Sequence, residues 1–422
     1  AEDGIRDVAV TGVQTCALPI YMESVSNDWW PKFSRAEYAQ RYAALRKSME
    51  DKGLDCLAIY GAPLFFGTDP GGPNLAYLAA YAPAVHGYVV FPRVGEPMLA
   101  IYVAGHVHNA KQITVIDDVR GGTDLAGMVR DRIKELGYER GKIGIVGNFA
   151  WANISVPLEH YQSLTADLPR AKFEIVTTWY EELRLSKTVE ELEFMGHGAA
   201  ICDKAFDAFR AMAAPGVSDV ALHNEALRVV HANGGRTAFG HVGSTSMRDP
   251  DLTYPSFYPT NRVLQRGDAV MTELTGGYGG YFGKLYTTSF IGPPTKAYRA
   301  MFDLAADSYR QLIAGLRPGV RGKDLAGALA GKAAAAGYKP LSFITGWSTV
   351  NSRPVLFSRR IEQADWEFEL QPGFCLNVCG WVVDQDERSG VWIGDTVALA
   401  SDGVQRLHRS PIDELEANIL GG

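Results

Sequence analysis

The chain has 422 residues, 46% hydrophobic and 21% charged, the composition of an ordinary globular protein long enough for roughly two or three domains with a core each. A formal net charge of −7 argues against nucleic acid or an anionic membrane as the main partner, and there is no apolar run of about eighteen residues and no export-signal pattern. Five cysteines, Cys16, Cys56, Cys202, Cys375 and Cys379, lack C-x-x-C spacing, which indicates neither a zinc knuckle nor a disulfide framework and fits a reducing cytoplasm.

Residues 1–20, "AEDGIRDVAVTGVQTCALPI", have no clear periodicity and resemble translated adapter sequence of the kind found in metagenomic assemblies. A native start near Tyr21 or Met22 is then expected, the alternative being a natural disordered arm. Residues 21–177 alternate helix and strand, as an α/β domain does. Ser34 caps a helix through Tyr38, Tyr42, Leu45 and Met49 that ends at Gly53, and strands follow at Cys56 to Tyr60, "GYVVFP", "PMLAIYV" and "KIGIVGN". Residues 178–422 form a second domain, opened by a long amphipathic helix that enters through Ser186 to Glu190 and closes at Pro215 and Gly216. A helix from Ser218, a hairpin, helices "TKAYRAMFDLAADSYRQLIAGL" and "GKDLAGALAGKAAAAG", and strands at Gly373 to Val383 and Val391 to Ala398 complete it.

The hairpin "GDAVMTELTGGYGGYFGKLYTTSF" carries one acid and one base in apolar surroundings. Alternation puts Met271, Glu273 and Thr275 on one face of the first strand, and Phe282, Lys284, Tyr286 and Thr288 on one face of the second. The glycines supply the positive φ of a tight turn, so the two faces can be one. A solvated cross-strand ion pair is the simpler reading, but the apolar neighbours favour a buried one.

"PTNRVLQRGD", "LQPG" and "DTVALASDG", together with "LRLSKTVEELEFM", resemble the pita-bread superfamily of creatinase, aminopeptidase P and prolidase, in the right order from about Phe33 onward. The resemblance implies an α/β N-terminal creatinase-like domain, an α+β C-terminal domain built on a curved antiparallel sheet, and a homodimer in which one subunit closes the other's site. The metallopeptidases of this superfamily hold metal with two aspartates, a histidine and two glutamates. Those positions fall here on Glu273, Lys284, Trp347, Cys379 and Gly394, and two histidines that stand beside the ligands fall on Ser256 and Phe343. The resemblance therefore implies a site without a metal or other cofactor, in which Lys284 takes over the metal's electrostatic role beside Glu273, as in metal-free creatinase and the similar ectoine hydrolases. A charge pair that merely fills a vacated cavity is the alternative.

Cys375, Asn377, Cys379 and Trp381 share one strand face, and Trp392, Gly394 and Thr396 another. With Phe282, Tyr286 and Trp347 they make an aromatic pocket suited to a quaternary or guanidinium-like group, a flat ring or a sugar, or else ordinary core. His241 is expected in a loop, catalytic or structural; Arg248, Asp249 and Asp251 are loop or substrate-orienting candidates. Cys379 is a candidate nucleophile but more simply a small buried residue. Tyr286 is a candidate proton donor. Phe65, Phe66 and Arg93 are weaker candidates for reaching a partner subunit's pocket. The expected function is metal-independent hydrolysis of a C–N bond in a small polar molecule, with Glu273 as base or nucleophile, Lys284 as stabiliser of negative charge and Tyr286 as acid. A lyase or glycoside-cleaving enzyme, or a catalytically silent binding protein, are the alternatives.

Overall fold

The computed structural model describes residues 30–63, 72–83, 85–148, 155–349, 351–358 and 365–421. The expected arm over residues 1–20, and Phe65 and Phe66, lie outside them. Ser34 caps the Arg35–Lys52 helix by accepting the Glu37 amide, and Gly53 ends it at φ 69°. That helix buries Glu37 and Arg41 as well as Tyr38, Leu45 and Met49, so it packs on more than its own sheet.

The first sheet is formed by β1 (Cys56–Gly61), β2 (Gly87–Pro92), β3 (Met98–Tyr102), β4 (Asp118–Gly122), β5 (Lys142–Val146) and β6 (Lys172–Ile175), in the order β4-β3-β2-β1-β5-β6. β2 pairs antiparallel with β1 and β3, and the outer pairings are parallel. The long helix expected to enter through Ser186 to Glu190 does so, preceded by a separate short one. A short Thr177–Glu182 helix stops, and Val189–Met212 starts anew at Thr188, which forms a reciprocal capping box with Glu191.

The second sheet contains β7 (Gly240–Ser246), β8 (Asp268–Tyr278), β9 (Tyr281–Ile291), the short β10 (Lys339–Pro340), β11 (Phe343–Trp347), β12 (Asn351–Phe357), β13 (Cys375–Val383) and β14 (Gly390–Ala400). Its path is β12-β11-β13-β14-β9-β8-β7, antiparallel at every step. Gly279 and Gly280, at φ 57° and 84°, make the two-residue turn between β8 and β9. One face of the sheet packs Val270, Leu274, Leu285, Val378 and Ile393 against the Val189–Met212, Asp219–Ala232 and Lys296–Gly315 helices. The other face holds the polar residues singled out above. The helix expected over residues 322–337 is reduced to a turn of 3-10 helix and Ala326–Ala330, ended by Gly331 at φ 57°.

Candidate functional site

Register builds the site. His241 pairs with Glu273, Glu273 with Tyr286, Tyr286 with Gly394, Gly394 with Cys379 and Cys379 with Phe343, so residues from six strands lie in one row across one face. The next row runs Thr275, Lys284, Asn377 and Thr345, with Thr396 bridging Lys284 and Asn377. His241 is thus a strand residue, not a loop residue. The stretch "GHVGSTS" lacks alternating apolar residues, and it is paired because β8 offers it an edge.

Glu273 is the hub. Oε1 forms an ion pair with Lys284 Nζ. Oε2 lies 3.2 Å from His241 Nδ1 and accepts the Tyr254 hydroxyl at 2.7 Å. Glu273, Lys284 and His241 are all buried. Burial by itself would raise the Glu273 carboxyl, but Lys284 and His241 outweigh it and hold the group down at about 2. Lys284 is pulled below the usual lysine value, because burial acts on the ammonium more strongly than Glu273 opposes it. Its Nζ lies 3.8 Å from the Phe239 ring centroid, 4.8 Å from Trp347 and 4.9 Å from Tyr286. These rings stabilise the charge that burial disfavours.

Tyr286 touches Phe343 and Trp392 edge-on, and burial, then Glu273, pushes its hydroxyl well above the ordinary tyrosine value. Trp347 is buried and donates Nε1 to the Phe282 carbonyl at 2.6 Å, which fixes the indole beside Lys284. The Phe282 ring packs in one cluster with Phe33, Tyr38, Met195 and Trp347. Trp392 donates Nε1 to the Thr287 carbonyl and meets Trp381 and Tyr254 edge-on, while Tyr254 and Trp381 pack at a tilt. Cys379 is fully buried and its thiol is pushed well up by burial, which suits a packing residue better than a thiolate nucleophile. Arg248 is not brought to this cluster: it is exposed in the turn past the far end of β7. Asp249 pairs with Arg388. Asp251 accepts the Thr245 hydroxyl. Arg93 pairs with Asp55 in the first half of the chain.

Sequence reasoning missed Tyr254 and Phe239. Tyr254 stands two residues before Ser256, the position where the superfamily's metallopeptidases place a histidine beside the metal, and that was the available signal. Among the described residues, no group of three or more His, Cys, Asp or Glu side chains is placed to share a metal ion.

Known proteins fall in line with this architecture. The profile for metallopeptidase family M24 matches residues 193–401, and that for the creatinase/prolidase N-terminal domain matches residues 41–186. An uncharacterized peptidase, YqhT, of Bacillus subtilis is 24% identical over 71% of this chain and 81% of its own length. The ectoine hydrolase of Halomonas elongata is 23% identical over 90% of this chain and 97% of its own length. In fold, the Xaa-Pro dipeptidase structure from Bacillus anthracis superposes with a TM-score of 0.72 at 20% identity, covering 89% of this chain and 98% of that one.

Proposed function

The chain belongs to the pita-bread creatinase/prolidase superfamily, and from that premise we propose that it is a hydrolase that cleaves an amide or amidine C–N bond of a small polar molecule without a metal ion. The names of its relatives, a peptidase and an ectoine hydrolase among them, support a hydrolase. The observation that carries the finer reading is the Glu273 carboxylate, shared between His241 on one oxygen and Lys284 on the other. A divalent cation requires several oxygen or imidazole donors, and the residues at the superfamily's ligand positions do not fit one. Lys284, Trp347 and Gly394 offer no suitable donor, Cys379 is held as a thiol, and both Glu273 oxygens are engaged.

A carboxylate held near a pKa of about 2 is a weak base. Glu273 therefore acts as the group that orients His241. With Nδ1–H donated to Glu273, the imidazole lone pair sits on Nε2, which takes a proton from the attacking water. Lys284, the stronger acid of the two buried donors, gives a proton to the leaving nitrogen, and Tyr286 donates a hydrogen bond to the developing oxyanion. His241 keeps Nδ1–H on Glu273 and gives its Nε2 proton to the departing product or to solvent, and Lys284 regains a proton from solvent, which closes the cycle.

The test combines exhaustive chelation and elemental analysis with a panel of amides, amidines and ureas. Turnover that persists in metal-depleted protein and disappears in Glu273→Gln supports the reading. Stoichiometric manganese or zinc whose removal abolishes turnover overturns it.

A further inference from the structure

The aromatic faces beside Glu273 are already occupied by a cation from the protein itself. Phe239, Trp347 and Tyr286 surround Lys284 Nζ, so the surfaces that would otherwise receive a cationic substrate solvate the chain's own ammonium. The acid of the cluster is equally committed, since Glu273 receives Lys284, His241 and Tyr254. What the site has in excess is donors.

Asn377 is the clearest of them. It is fully buried on β13, in the row of Lys284, and its Nδ2 has no hydrogen-bond partner. Its orientation follows from its neighbours. Thr396 Oγ1 accepts the Lys284 backbone N–H at 3.0 Å and gives its own proton to Asn377 Oδ1 at 2.9 Å. The amide oxygen is therefore tied to Thr396 and the NH2 is turned the other way. It is turned towards the Tyr286 hydroxyl, whose pKa a weak, long donation from it lowers against burial, but the contact falls short of a normal hydrogen bond and leaves the donor for a better acceptor. On the same strand, Trp381 Nε1 is a second buried donor without a partner. An unmet buried donor is costly to keep, so two on one strand face point to a ligand that supplies acceptors.

We propose that the substrate carries a carboxylate or similarly acceptor-rich group that Asn377 receives through Nδ2, in the field of the Lys284 ammonium. This rests on the site assigned under Proposed function and assigns its substrate class: anionic or acceptor-rich, not quaternary or guanidinium-like. Asn377 is then a specificity residue, and its exchange for aspartate is nearly isosteric. Asn377→Asp keeps an oxygen for Thr396 and turns the unmet donor into a second acceptor with a negative charge.

Benzoate, benzamide and benzamidine present the same ring with charge of −1, 0 and +1, and calorimetric titration of each into the full-length protein reads the preference directly. Wild type is expected to bind benzoate at least roughly tenfold more tightly than benzamidine, with benzamide between. Asn377→Asp should weaken benzoate by a similar factor and reverse the order, and Asn377→Leu should lose benzoate affinity without gaining benzamidine. Near-UV circular dichroism checks that each variant is folded, and the leucine variant stands alone if the aspartate one is not. Benzoate that fails to bind, that binds no more tightly than benzamidine, or that is unaffected by the Asn377 substitutions overturns the proposal. These are binding measurements. A metal-dependent enzyme could still show the benzoate preference, and a metal-free hydrolase could still fail it, so the two readings fall separately.

Discussion

In the hydrolase proposed above Lys284 is the proton donor, and its titration would mark both stability and rate. Its folded-state pKa lies below the usual 10.5, because burial disfavours the charged form. A cation depressed in this way weakens the fold while it is charged, and stability is regained as pH rises from the lowered value towards 10.5. Catalysis runs the other way, since the proton donor is lost over the same interval. Glu273 has the opposite signature for stability: its contribution is complete above the unfolded carboxyl value of 4.5 and is lost only as pH falls through about 2. The kcat profile should therefore fall on its alkaline limb at a pH below 10.5, while Glu273 imposes no acid limb above about 2. Lys284→Arg, whose guanidinium stays charged beyond pH ~12, should remove that alkaline limb while lowering turnover by roughly a hundredfold or more, because arginine keeps the charge but does not give up its proton. An alkaline limb that stays in place in the arginine variant sinks the assignment. Of this site, the Glu273 and Lys284 face was legible from strand alternation and a glycine turn alone. Tyr254 and Phe239 were not, because loop and edge residues reach the cluster through tertiary placement that has no periodicity.

Elements position the pair through close approach. The Val189–Met212 helix lies directly on the β8–β9 hairpin, at a point where side chains are absent. A Cβ on Gly283 would stand 2.3 Å from Ala199 Cα, and one on Gly276 would stand 2.4 Å from the Cys202 backbone nitrogen. Backbone-to-backbone contact of this kind cannot be relieved by a rotamer change, so the helix or the strand must move. Gly283 is the residue before Lys284. Gly283→Ala should cost about 1–3 kcal/mol in urea unfolding and lower kcat by more than that loss of stability alone explains, because the strand shift is passed to Nζ. Full activity with unchanged unfolding would show that the helix packs more loosely than this contact implies. The glycines "GGYGGYFG" were readable as a turn, and Gly279 and Gly280 make it. That Gly276 and Gly283 instead serve the helix contact was invisible, since a glycine in sequence does not declare which neighbour needs the space. The 322–337 stretch misled in the opposite sense: its alanines favour helix, but Gly331 takes a left-handed φ and ends it early.

At the scale of the whole molecule, the helix that opens the first half is wired to the wall of the site in the second. Arg41 Nε pairs with Glu37 at 2.7 Å, its Nη1 donates to the Tyr77 carbonyl, and its guanidinium lies 4.2 Å from the Phe33 and Tyr77 ring centroids. Glu37 also accepts the Thr188 hydroxyl. Glu191, 3.6 Å from Arg41 Nη2, accepts the Tyr281 hydroxyl. Tyr281 begins β9, three residues before Lys284, and Phe33 and Tyr38 pack in one cluster with Phe282 and Trp347. In a charge network at 2–5% side-chain exposure each buried acid depends on a nearby cation, and Arg41 is the cation shared by two glutamates. Arg41→Met leaves both acids buried without it, at an expected cost of about 3–5 kcal/mol in denaturant unfolding and with reduced turnover as β9 and Trp347 lose their buttress. Neutralising the acids as well distinguishes unpaired charge from lost packing. The triple variant Arg41→Met, Glu37→Gln, Glu191→Gln should recover a large part of the stability, since a matched neutral set avoids the desolvation that stranded carboxylates suffer. An Arg41→Met protein within about 0.5 kcal/mol of wild type, or a triple variant no more stable than the single one, would mean that the two halves are joined by apolar contact and that this network contributes little.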